Sequence, residues 1–134
     1  MNRDELLDER MKNLNAEAEE DFQLSDFDLK ETTLKAPNIK IKWNRILNEE
    51  QKLLKLLNDK MADYKRELLT TKYDINVANF KKELELEGDE GIIKFKKAVD
   101  DQKDVIRFVE GIVRISQGFG YDIKNVIDII RLEQ

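Results

Sequence analysis

The chain has no cysteine and no histidine, and its 134 residues include a single proline. Without cysteine there is no disulfide, thiolate nucleophile or thiolate metal ligand. Without histidine there is no imidazole base and no Cys/His zinc site. Those two absences remove most common catalytic constellations. No apolar run approaches the roughly 20 residues of a membrane span, and nothing in the first thirty residues resembles a signal peptide. The expected setting is cytosolic. The five glycines form neither a phosphate-cradling GxxxxGK[ST] loop nor a GxGxxG turn after a strand. The acidic run "ELELEGDEG" (83–91) lacks the one-three-five ligand spacing and twelfth-position glutamate of a calcium loop. Neither an enzyme nor a metal or cofactor site is expected.

Charge, by contrast, is abundant: 40% of residues are Asp, Glu, Lys or Arg, and the formal net charge is −5. It is unevenly placed. Residues 1–31 hold 4 Lys and Arg against 11 Asp and Glu, residues 35–82 hold 12 against 6, and residues 83–134 hold 8 against 12. An acidic head, a basic middle and a mildly acidic end of this kind point to a charged partner. The head, residues 1–34, has few apolar residues and no sustained period, so it reads as a flexible, solubilising segment with at most one short helix. A sharper reading docks it on a basic partner or on the chain's own basic helix. Residues 35–134 read as one helical domain.

Pro37 pushes Ala36 toward an extended conformation and suits the first turn of a helix, so a boundary is expected there. From Asn38 to about Tyr73 the period is regular. Steps of four and three from Trp43 reach Leu47, Glu50, Leu54, Leu57, Met61, Tyr64 and Leu68, and all but Glu50 are apolar or aromatic. That is the seam of a long helix packed on another. At 1.5 Å per residue such a helix is about 54 Å long and needs a partner. "TTKYDINVAN" breaks the pattern, and a shorter helix is expected over 76–87. A second long helix, from about Asp89 to Gln117, has the seam Ile92, Phe95, Val99, Gln102, Ile106, Val109, Val113 and Ser116. Gly118 and Gly120 are expected to end it, because glycine tolerates the left-handed conformation that closes helices. A last helix puts Ile123, Val126, Ile127 and Ile130 on one face. The fold class is all-α, with long helices packed as a hairpin or bundle.

With the seam at heptad positions a and d, Arg45, Lys52, Asp59 and Arg66 share the outward f position. Lys65 and Lys72 lie beside it and Lys55 at b. The cations thus form a stripe facing away from the seam, interrupted by Asp59. Two readings stay open: a phosphate-tracking surface that releases counterions on binding, and the solvated face of a structural coiled coil with no nucleic-acid role. A single-strand surface also calls for stacking aromatics, and only Tyr64 and Tyr73 are nearby. The apolar face of the last helix is likewise open, between association of subunits and closure of the subunit's own core.

The order of segments adds to this. "PNIKIKW" (37–43), a leucine- and lysine-rich helix, and "FVEGIVRISQGFGYDIKNVIDII" (108–130) resemble the UvsY family, recombination mediators of large contractile-tailed phages. The resemblance covers roughly residues 29–133, and its most specific parts are the Pro-Asn-Ile, Lys-x-x-Trp-type run at 37–43, the Phe-x-x-Gly at 108–111 and "GYDIKNVID" (120–128). It implies a non-enzymatic accessory factor acting in the host cytoplasm in phage recombination, replication and repair. Such a factor forms a ring-like homo-oligomer, a hexamer or heptamer. It binds single-stranded DNA, contacts the phage single-strand-binding protein and helps load the UvsX-type recombinase. The family's DNA-binding motif is a Lys-x-Arg pair in the basic helix. Here Lys65 and Arg66 stand adjacent instead of one apart, and Lys60 and Lys72 are candidates to share the role. Lys52, Lys55 and Arg45 extend the expected surface. Ile123, Val126, Ile127 and Ile130, with Gly120 as hinge, are the candidates for subunit association.

Overall fold

A computed structural model describes residues 2–22, 29–71 and 85–133. Among these residues there is no strand, and the chain is a bundle of helices: α1 (Arg3–Asp21), α2 (Leu29–Thr71) and α3 (Glu90–Glu133). The chain divides into two compact units, one of residues 1–49 with 105–134, the other of residues 50–104.

In the first unit the acidic head is a 19-residue helix. The expectation of a flexible segment with at most a short helix gives way to a capped and docked element. Asn2 accepts from the Glu5 backbone N–H (2.9 Å) and Glu5 accepts from the Asn2 N–H (3.2 Å). This reciprocal box satisfies two N-terminal donors, while Asp4 and Glu5 suit the positive end of the helix dipole. Leu7, Met11, Leu14, Ala18 and Phe22 follow at three- and four-residue steps and face the core. One apolar residue per turn, set among acids, is a weak signal in sequence and a sufficient one in structure. The core joins Ala18 to Trp43, Val105, Val109, Ile112 and Val113.

Trp43 is fully buried, and its indole N–H donates to Asp21 (2.9 Å). Lys42 donates to the same carboxylate (2.8 Å) and pairs with Glu17 at 2.6 Å. The head therefore docks on the chain's own basic helix, and these contacts show where. Burial is the largest influence on Lys42 and pulls its pKa down. The two carboxylates together outweigh it, and the ammonium titrates above its ordinary 10.5.

Two helix boundaries differ from expectation. Pro37 lies inside α2, which begins at Leu29. Proline forfeits the N–H bond to the carbonyl four residues back, yet Ile39, Trp43, Ile46 and Leu47 pack on the core just beyond it and hold the helix. Gly118 and Gly120 do not stop α3. No glycine among the described residues has positive φ. Phe119 and Ile123 are buried on either side of Gly120, and Phe119 meets the Phe22 ring edge-on at 5.3 Å. That burial offsets roughly 1 kcal/mol of helix propensity lost at each glycine.

In the second unit α2 and α3 run antiparallel, and the predicted seams meet. Leu54, Leu57, Met61, Tyr64 and Leu68 are half-buried, and Ile92, Ala98 and Val99 are buried. The polar seam positions find each other. Gln102 donates to the Glu50 carboxylate (2.7 Å) and to the Glu50 backbone carbonyl (2.9 Å), both out of solvent. Toward the other end, the rings of Tyr64 and Phe95 lie 5.5 Å apart. Asp89 stands just before α3 and accepts from the Ile92 backbone N–H (3.1 Å), an N-cap, and from the Tyr64 hydroxyl (2.9 Å). Of the helix expected over 76–87, residues 76–84 lie outside the described residues, and residues 85–88 are helical.

Candidate nucleic-acid interface

The cations of α2 follow from its seam. Residues off the a and d positions of a packed helix must face solvent, and long charged side chains are the natural occupants. In the second unit Lys52, Lys55, Lys60 and Arg66 are exposed and Lys65 is half-buried. Helical spacing puts Lys52, Lys55 and Arg66 opposite the seam. Lys60 and Lys65 flank it on either side, so the five do not form a single file. Arg45 belongs to the first unit and is exposed there. Lys72 lies outside the described residues.

Acids temper this face. Asp59 is exposed within it, and Arg66 pairs with Asp63 at 3.6 Å while its side chain stays 75% exposed. A pair that wet is worth little and yields readily to a competing anion. Lys52, Lys55, Lys60 and Lys65 have no ion pair or hydrogen bond with any described residue.

One feature of the site was not read from sequence. Lys65 lines a recess of about 160 Å³ together with Leu86, Glu87, Ile92 and Lys96, the last from α3. Counting charge over residues 83–134 hid Lys96 in an acidic segment. The signal lay in its position, one residue past the seam Phe95, as Lys65 is one past the seam Tyr64. The larger concavity, about 430 Å³ in the first unit, is walled mainly by Ala18, Phe22, Phe108, Ile112 and Ile115. Asn15, Glu19 and Arg107 also line it.

The apolar residues expected to associate subunits are partly used within the chain. Ile123 is buried in the first unit, and Ile127 and Ile130 are half-buried. The side chain of Val126 lies outside the described set. Among the described side chains of this segment the most exposed apolar ones are Ile129 (56%) and Leu132 (86%). Among the described residues no group of carboxylates is placed to hold a metal ion, and no helix is long and apolar enough to cross a membrane.

These features define a class: an all-helical bundle protein that turns a cationic helix face to solvent. The chain belongs to the UvsY family, whose model, described as "Recombination, repair and ssDNA binding protein UvsY", matches residues 17–134. No curated protein matches it significantly. Among solved structures it is similar to the recombination mediator protein UvsY of bacteriophage T4. The TM-score is 0.81 at 16% identity, over 92% of this chain and 98% of that one. At that identity the likeness speaks for the fold.

Proposed function

We propose that this chain is a recombination mediator. It binds single-stranded DNA through Lys52, Lys55, Lys60, Lys65 and Arg66, with Arg45 and Lys72 as further candidates. It helps load a UvsX-type recombinase onto DNA coated by single-strand-binding protein. It acts as a ring-like homo-oligomer, in the host cytoplasm, without catalysing a reaction. The observation that carries the reading is the exposed cationic face of α2 in a chain of this family. Mediation replaces one protein coat on DNA by another. Only a binder with different affinities for the two DNA states moves that balance, and no bond needs to be made or broken.

Binding of a fluorescent oligodeoxynucleotide across a salt series tests it. Log K should fall against log salt by about 0.7 per phosphate contact. Lys65→Ala combined with Arg66→Ala should flatten the slope by about 1.4 if both side chains are contacts. An unchanged slope removes these two residues from the interface.

The second reading, a structural coiled-coil oligomer, draws on Asp59 and on the Arg66–Asp63 pair, which fit a merely solvated face. It predicts no DNA affinity at moderate salt.

A further inference from the structure

The recess in the second unit differs from the rest of the α2 face because its two lysines come from two helices. Their convergence follows from the packing. Tyr64 and Phe95 are in ring contact across the seam, and Lys65 and Lys96 are the next residues on their respective helices. Both stems therefore start at the edge of the same contact. Leu86 and Ile92 supply apolar wall, and Ile92 is buried. An ammonium beside such a wall holds an anion more tightly than one in open water, because the local dielectric is lower.

The charges also match one ligand class. Lys65 and Lys96 bring two positive charges and Glu87 one negative charge, and a phosphodiester carries one negative charge. The recess holds about five water volumes at ~30 Å³ each, enough for a phosphate group with part of its hydration. Neither lysine has an ion pair or hydrogen bond with a described residue.

We propose that this recess seats one backbone phosphate of a DNA strand between Lys65 of α2 and Lys96 of α3, so that the strand crosses from one helix to the other at this point. The proposal rests on the single-strand-binding reading above and adds to it a second helix and a definite contact residue. A strand following α2 alone has no use for Lys96.

The test compares the unmodified chain with Lys96→Ala, Lys65→Ala, their double variant and Lys103→Ala, by oligodeoxynucleotide binding across a salt series. Lys103 is an exposed lysine of α3 in the same unit and does not line the recess, so it controls for the loss of a positive charge. Lys96→Ala should weaken binding and reduce the log–log slope by at most about 0.7, the whole contribution of the one phosphate the two lysines hold, whereas Lys103→Ala should track the unmodified chain. Because Lys65 and Lys96 would share one phosphate, the double variant should lose less than the sum of the singles. Lys96→Gln, which keeps the polar stem, should behave as Lys96→Ala, and far-UV circular dichroism should show both folded. If the unmodified chain binds and Lys96→Ala departs from it no more than Lys103→Ala does, the seat is overturned and the broader reading stands. If the unmodified chain fails to bind even in dilute buffer, both fall together.

Discussion

A methyl group added at Gly91 would overlap the Tyr64 hydroxyl and ring. The same group at Gly118 meets nothing within 4 Å. Both glycines lie in α3, so the helix-propensity gain of alanine, roughly 1 kcal/mol, is common to them. Gly118→Ala should therefore raise the thermal midpoint. Gly91→Ala should lower stability by about 1–3 kcal/mol, because Tyr64 must leave its bond to Asp89 or the helices must part. Denaturation in urea reads both signs. Lys42 carries a residue-scale prediction of a different kind. Its raised pKa means that its contribution is fully present below the unfolded-state pKa and is lost as pH climbs through the folded value. Lys42→Met should cost about 1–2 kcal/mol at neutral pH. The gap between variant and parent should close as the pH passes the lysine range. A gap independent of pH would deny the Glu17–Lys42–Asp21 cluster its ionic character.

At the scale of elements, the seams were legible and the helix ends were not. Every a and d position read in α2 and α3 is buried or half-buried, because burial on a packed helix follows a period that sequence displays directly. Pro37 and Gly118 misled because they report only local preference, which Trp43, Phe119 and Ile123 outweigh by packing. The head was missed for the opposite reason: Leu7, Met11, Leu14 and Ala18 keep the period, but nothing apolar reinforces them. The exposed cations of α2 were legible as whatever the seam leaves over. Lys96 was not, since placing it beside Lys65 requires knowing how the two helices pair. Glu50 and Gln102 looked like flaws in two separate seams and are one buried pair. Such a pair suits fixing the register of two helices more than stabilising them. Glu50→Leu alone should destabilise by about 1–2 kcal/mol by taking the carboxylate acceptor from the buried Gln102 amide, which keeps only the residue-50 backbone carbonyl. Glu50→Leu with Gln102→Leu should recover most of that loss. A loss in the double variant equal to the sum of the Glu50→Leu and Gln102→Leu losses, by chemical denaturation, would mean the two residues act independently.

For the molecule as a whole, the net charge of −5 opposes a polyanion at long range, so the proposed DNA binding would depend on local cations at close range. Five cations from α2 of one chain, three of them beside Asp59, Asp63 or Glu87, would give weak affinity. On the proposed reading, association of several chains on one strand multiplies it through effective concentration. Affinity should then rise steeply with oligonucleotide length until one strand spans the whole assembly, and fall when the protein is diluted below the dissociation constant of that assembly. Sedimentation of labelled oligonucleotides of graded length measures both. A length-independent affinity would mean each subunit binds alone.

Trp43 is the sole tryptophan, sealed from solvent and tethered to Asp21. No nucleobase can stack on it while α1 stays docked. With excitation selective for tryptophan over the three tyrosines, a change in emission when an oligonucleotide is added therefore reports a rearrangement around this buried core, of which the docked amino-terminal helix is part. The chain carries its own optical gauge of that helix, ready for stopped-flow work without a dye.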